Sequence, residues 1–432
     1  MNRQSVSPVW KERPLRNFLL AALASNVGNW VQIFSEQWLV FLLAGPLAAR
    51  WGGRLGFASG IAVLIFVPLG GSLADRLDRR KALASAQIFL MLLALSMCVL
   101  AALHQLTLPR LLFFAMASGL GAAVSMPMGQ SLMGDLVPPE KIPAAFGLMS
   151  AQFNLSRIIG PALAALLFPV VGVAGNFGLN ALSFLGLVVV CLRLRLPKAQ
   201  HLSTEGGSYS QSFRAFRADP KLSALLVIAA IWGFFAWSYF PLLPVYGAKT
   251  LGLTARGVAG LLSSFGLGAV LGSLIVARDV SGRDRFPRIL LAFGGFGAGL
   301  GLLGGLPHPG VAFPAMFIMG AFQATGLSLM AGTIQRKIQP GLRGRANAIY
   351  LTAVIGITPF GTLLAGEVAQ RLGAQGPRLV ILGDGLILLA SALWLTFRLR
   401  QPRVDALAPE TMEGPAKPST PPAEAILAKR GD

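Results

Sequence analysis

The stretch Gly71-Ser-Leu-Ala-Asp-Arg-Leu-Asp-Arg-Arg80 packs three arginines and two aspartates into its last six residues, between two long apolar runs. Charge of that density is too costly in hydrocarbon, so the stretch reads as a tight aqueous turn between two membrane-spanning helices. The composition around it agrees. Of 432 residues, 54% are hydrophobic and 12% charged, with a mean hydropathy of +0.65. Soluble domains carry about 25% charged residues, so half of the usual polar coat is missing and most of the surface has to face lipid.

Apolar windows about 20 residues long place twelve spans at 18–43, 55–74, 82–103, 111–133, 144–168, 172–192, 223–247, 257–277, 288–306, 311–333, 346–369 and 376–397. The first is too long for a signal-peptide core and reads as an uncleaved span. With both termini in the cytoplasm, 29 Lys and Arg lie on the cytoplasmic side and 7 outside, and Arg157 is left within a span. This positive-inside bias accounts for most of the net charge of +20 without nucleic acid as a partner; the partners implied are membrane lipids. Cys98 and Cys191 fall near opposite ends of their spans and are not expected to pair. His104, His201 and His308 are scattered in loops without metal-ligand spacing, so no metal is expected. Glycine runs such as Gly294–Gly301 sit inside a span with no strand before them, and no P-loop pattern occurs. Neither a nucleotide cofactor nor an enzyme is indicated.

A constant offset of 201 carries Gly71 to Gly272, Gly119 to Gly320, Pro139 to Pro340 and Gly160 to Gly361. That implies two six-helix halves related by a parallel repeat, with a cavity between them. The expected organisation is an all-α integral membrane protein with an N-terminal half at 1–192 and a cytoplasmic linker at 193–221. A C-terminal half at 222–400 and a disordered cytoplasmic tail at 401–432 complete it. In the linker, Ser212-Phe-Arg-Ala-Phe-Arg-Ala-Asp-Pro220 alternates aromatic and basic residues, as a short amphipathic helix on an anionic leaflet does. The charges are not repeated: Asp75 maps to Val276, Glu36 to Trp237, Arg157 to Thr358 and Asp384 to Ser183. A shared scaffold with charges private to one half points to work beyond holding the fold.

Those charges are the first candidate site residues. Gly71, Asp75, Arg76, Arg79 and Arg80 form a candidate gate, because a carboxylate at the mouth can make a contact in one state and break it in another; a plain topology anchor is the other reading. Arg157 lies about 20 Å into its span, where it needs a partner or a wet cavity. Glu36 lies at a depth that could meet Arg157 and is a candidate for proton exchange, as is Asp384 in the last span. Glu367, four residues before Arg371, reads as a surface pair.

The charged turn resembles the loop 2–3 signature of the major facilitator superfamily, in the version of its enterobactin-exporter-like branch, which includes macrolide efflux proteins. Gln37-Trp-Leu-Val40, Asp135-Leu-Val-Pro138, Asn154-Leu-Ser-Arg-Ile-Ile-Gly-Pro161, Asn180-Ala-Leu-Ser-Phe184 and Arg343-Gly-Arg345 agree with that branch, over roughly residues 15 to 400. The resemblance implies the major facilitator fold and a cytoplasmic latch at Asp75 in the outward-open state. It also implies a cavity lined by spans 1, 4, 7 and 10, where Asn29, Gln32, Gln130, Trp232, Trp237, Tyr239 and Gln323 are the candidate lining. Gly160 and Pro161 match the kink of the efflux-type fifth span, with Ser156, Ala164 and Ala165 in place of glycines. The arginine that many proton antiporters carry four residues before the position of Gly119 is replaced by Ala115.

Taken together, these features lead us to expect a monomeric secondary transporter of the bacterial inner membrane. It would export a small organic molecule of the siderophore or hydrophobic-drug class by alternating access, through proton-coupled antiport. The alternatives are a lipid or lysolipid flippase or a nutrient importer on the same fold, or a non-transporting receptor or assembly partner.

Overall fold

Long apolar stretches punctuated by proline, glycine and aspartate settle where helices begin and end. Asp219 caps one helix start, accepting from the backbone N–H groups of Lys221 and Leu222, with Pro220 in the first turn. Asp78 does the same for another through Arg80 N, as short polar side chains do for the unpaired N–H groups of a first turn. The computed structural model describes residues 9–76, 78–194, 209–277, 284–339 and 342–400. The 401–432 tail lies outside the described residues, as do the side chains of 67–77.

Among the described residues the fold is all helical. In chain order we define α1 (Arg13–Ala44), α2 (Ala48–Arg76), α3 (Arg79–Ala102), α4 (Leu108–Asp135), α5 (Ile142–Arg193), α6 (Tyr209–Ala218) and α7 (Pro220–Phe235). There follow α8 (Ala255–Ala277), α9 (Phe286–Gly305), α10 (Pro309–Lys337), α11 (Arg343–Leu351), α12 (Thr358–Arg371) and α13 (Gly376–Arg400). Short irregular turns continue α7 to Thr250, and a π-helical turn, Thr352–Gly356, joins α11 to α12.

Ten helical segments are long and apolar enough to cross a membrane. Two of them, Arg13–Phe66 and Ala144–Arg193, hold 54 and 50 residues. Drawn straight at about 1.5 Å per residue, each would exceed twice the roughly 30 Å hydrocarbon thickness. Both break at a glycine in the left-handed region, Gly45 at φ 53° and Gly172 at φ 64°, where a side chain would be strained. Within α5 the reversal is direct: Asn176 Nδ2 donates to Ala164 O at 3.1 Å, although residues twelve apart in a straight helix stand about 18 Å apart. The break falls at Gly172, between the fifth and sixth expected spans, and at Gly160-Pro161 the backbone stays helical. Gly160 serves close packing instead, its α-carbon face lying against Trp30 and Val27 of α1.

Positions related by the offset of 201 meet the same kind of neighbour. Gly119 brings α4 against the Ser59 carbonyl of α2, and Gly320 brings α10 against the Phe265 carbonyl of α8. Gly160 joins α5 to α1 as Gly361 joins α12 to the Phe234 carbonyl of α7. Close backbone approach through small residues is the main source of helix association in lipid, where burial of apolar surface supplies little.

The first and last parts of the chain meet along two seams. In one, α2 runs against α12: Gly53 faces Thr362 and Gly366, Gly60 faces Pro359, and the Phe57 and Phe360 rings stand 5.8 Å apart. At the end of this seam Arg50 Nε and Arg54 Nη2 both bind the Glu367 carboxylate, at 2.9 and 3.2 Å. Glu367 thus ties two distant helices together and is not a local pair with Arg371. In the other seam, α5 meets α8, where Ser263 Oγ donates to Ile158 O at 3.0 Å.

The amphipathic α6 docks on the protein. Phe216 is buried against α7 and α11, and Ser223 Oγ donates to the Phe216 carbonyl at 2.7 Å. Phe213 remains exposed, with the Arg217 guanidinium 5.8 Å from its ring.

Candidate functional site

Arg157 is held halfway along the first arm of α5, beside the α5–α8 seam, where its neighbour Ile158 accepts from Ser263. Its guanidinium carbon stands 5.4 Å from the Trp30 ring of α1, 5.5 Å from Trp237 and 5.0 Å from Phe265 of α8. Gln323 of α10 accepts one hydrogen bond from Nη2 at 3.3 Å. Four separate segments therefore converge on one cation. Each ring is worth about 0.5–2 kcal/mol to it, depending on desolvation. A guanidinium carries five N–H donors, and among the described residues Gln323 is the one acceptor found for them. The group is half-buried and forms no ion pair with any described carboxylate. Such a cage accommodates an anion: the rings steady the cation, and the free N–H edge is left to a carboxylate, phenolate or phosphate.

Glu36 does not meet it. Gln32 Nε2 donates to Glu36 Oε1 at 2.7 Å, Asn180 Nδ2 donates to Gln32 Oε1 at 2.6 Å, and Ser183 Oγ donates to Asn180 Oδ1 at 3.0 Å. This buried chain binds α1 to the second arm of α5. Glu36 and Trp30 are six residues apart, which turns them about 120° from each other on α1, so the cage and the carboxylate occupy different faces. Gln32 accordingly belongs to this network and not to a cavity wall.

The remaining candidates separate in the same way. Trp237 and Gln323 are in the cage. Trp232 is corrected to a core residue, fully buried with its ring 5.6 Å from Phe293 and 5.1 Å from Phe296, whereas Tyr239, also buried, packs on Phe265 and Phe296 beside Arg157. Asn29 is half-buried on α1 and Gln130 exposed on α4. Asp384 is buried on α13 and accepts a hydrogen bond from Ser238 Oγ.

A family model described as transmembrane secretion effector matches residues 4–430. The chain belongs to that family. It is a family of major facilitator transporters, and curated relatives resemble this chain over most of their length. The enterobactin exporter EntS of Shigella flexneri is 26% identical over 81% of this chain and 85% of its own. The multidrug efflux pump Tap of Mycolicibacterium fortuitum is 25% identical over 90% of this chain and 97% of its own. Among solved structures, a bacterial homologue of the human lysosomal transporter Spinster, in an inward-facing and unoccupied conformation, superposes with a TM-score of 0.70. It is 16% identical and covers 90% of this chain and 97% of its own, which establishes the major facilitator fold.

In this family member the charged turn is tied into its own neighbourhood. Arg79 Nη1 binds Asp135 at the end of α4, at 2.8 Å. Arg80 Nη2 binds Asp78 at 2.9 Å, and its Nη1 donates to the Leu194 carbonyl at the end of α5. The Arg80 guanidinium holds the Asp78 carboxyl below the usual aspartate range. Arg79 and Arg80 therefore brace the ends of α3, α4 and α5. The side chains of Gly71, Asp75 and Arg76 lie outside the described residues. Sequence reasoning missed Trp30, Phe265 and the Arg50–Glu367–Arg54 cluster, and it had Asp135 as part of a motif without its partner Arg79; each acquires its role from a partner far away in the chain.

Proposed function

We propose that this protein is a secondary active exporter of a small organic anion bearing an aromatic or otherwise flat apolar part. In this reading it works by alternating access, with both termini in the cytoplasm of a bacterial inner membrane. The observation that carries the proposal is the Arg157 cage: one cation, three rings, one amide oxygen and, among the described residues, no carboxylate. Twelve crossings follow if the segments broken at Gly45 and Gly172 each cross twice. The names of the relatives, a siderophore exporter and a multidrug pump, support efflux over uptake. The helix pairings repeated at the offset of 201 support two halves that rock about the cage. Coupling to proton entry is the expected driving force, with the buried Glu36 network as its candidate carrier.

The test is flux in sealed inverted vesicles under an imposed pH gradient, with a panel of aromatic carboxylates and catecholates and their neutral esters or ethers. The proposal requires gradient-driven uptake of the anions, lost in Arg157→Ala at unchanged protein level. Movement of labelled lipid without any soluble substrate would instead identify a flippase. Intact function in Arg157→Ala would identify a non-transporting role.

A further inference from the structure

A second polar feature lies away from the cage. A groove of about 200 Å³ runs between the end of α7, α12 and α13, with Phe234, Phe235 and Gly383 among its lining and Asp384 and Ser238 at its floor. Its rim is made of exposed apolar side chains, Leu364, Val368 and Ile387. In a membrane protein of this fold such a rim faces lipid, so the groove opens sideways into the bilayer.

Asp384 is 7% exposed, in surroundings where a carboxylate without compensation is expensive. Its protein partner is only half committed. The Ser238 hydroxyl is within reach of both Asp384 Oδ2 and the Phe235 carbonyl, the latter at 2.7 Å. One hydroxyl hydrogen cannot serve both acceptors. No described cation pairs with Asp384. Beside the carboxyl the Phe234 and Phe235 rings stand 4.8 Å apart, and aromatic faces attract cations. Gly383 leaves open space above the floor, with no atom near the place a Cβ would take.

We propose that this groove is a lateral binding site, entered from the membrane, for the head of a single-chain lipophilic ammonium compound, with Asp384 as its counter-charge. Size and charge choose this occupant. Whole drug-sized ligands fill roughly 300–1,000 Å³, so the groove takes a head group and its first carbons while the chain lies along Leu364, Val368 and Ile387. A zwitterionic phospholipid would bring a phosphate into a groove whose described lining holds a carboxylate and no cation. The site is independent of the Arg157 cage in position and in sign of charge.

The test uses the full chain in lipid nanodiscs and a hexadecyltrimethylammonium probe with a photoreactive diazirine beside its head group, against the sulfate of the same chain. Mass spectrometry locates the label. The expected result is saturable labelling of α7, α12 and α13 by the ammonium probe, at least tenfold above the sulfate. Asp384→Asn should lower it at least tenfold. Gly383→Leu, which fills open space and spares the carboxyl, should also block it, and it serves if Asp384→Asn fails to fold. Ser238→Ala should keep the labelling, since the carboxyl remains. Arg157→Ala should keep it too, so failure of the transport reading and failure of this one are seen separately. Equal labelling by the sulfate, labelling spread without saturation over all lipid-facing helices, or unchanged labelling in Gly383→Leu would overturn the proposal.

Discussion

Replacing Glu367 by glutamine tests whether the α2–α12 seam is a latch. Two arginines of α2 converge on this one carboxylate, and the three side chains are between 27% and 41% exposed. Pairs of that exposure are screened and contribute about 0.2–1 kcal/mol each. Glutamine keeps the shape and one acceptor but loses the charge, so the seam weakens by about 1 kcal/mol. That is roughly a fivefold change in the population ratio of the closed and parted states. The readout is the distance distribution between spin labels at the exposed Leu47 and Leu372, which flank the cluster, in a background with Cys98 and Cys191 replaced. The closed distance should lose weight in Glu367→Gln. It should lose much more in Gly53→Val, because a Cβ at Gly53 stands 2.6 Å from the Thr362 carbonyl oxygen and 2.9 Å from Gly366 Cα; overpacking of this kind costs about 1–3 kcal/mol. An unchanged distribution in both variants would refute the latch, since charge and steric fit would then both be irrelevant to the equilibrium.

Trp30→Ala removes one wall of the cage and should weaken anion binding severalfold, as loss of about 1 kcal/mol of cation–π contact does, measured by substrate protection of the purified protein against heat. Arg157→Lys keeps the charge but lacks the planar fork, and should lose transport while keeping some binding. Asp75→Asn should abolish flux at unchanged expression, as the latch implied by the family resemblance requires; wild-type flux would remove that role. For Asp284, the hydrogen bond from Lys221 at 2.5 Å and that from Phe286 N lower its pKa. A lowered folded-state pKa means stability that is present above the ordinary aspartate value, about 4, and lost as pH falls through the lowered one. The gap in Tm between wild type and Asp284→Asn should therefore be constant from about pH 7 to 5 and close below about pH 4.

Hydropathy made the spans legible, because a chain that must satisfy its backbone in lipid has few choices of structure. Their ends were less legible. The second span begins at Ala48, seven residues before the apolar window at 55, because Arg50 and Arg54 of its first two turns are stabilised by Glu367 from α12 and not by neighbours in sequence. The pairing of Glu367 with Arg371 looked sufficient on spacing alone. A helix wheel shows which residues of one helix share a face and is blind to a second helix bearing two matching charges.

The cage shows the same limit in a sharper form. Arg157 was conspicuous as a lone charge inside a span, and that alone demanded a partner or water. Depth then nominated Glu36, but depth is one coordinate of two. The other is the angle around the helix axis, and on α1 it turns Trp30 toward the arginine and Glu36 toward Asn180. The aromatic residues of the seventh span obey the same rule with one complication. Regular helix ends at Phe235, so a wheel drawn through Trp232 and continued to Trp237 loses its phase. Trp232 and Trp237 are five residues apart, about 140° around even a regular helix, so Trp232 goes to the core and Trp237 to the cage, and the turns after Phe235 set where the second ring ends up. An anion site built from the rings of three separate segments is for that reason invisible to any single window of sequence. Its one local trace is an arginine where the repeat-related position holds Thr358, a residue with no charge to neutralise.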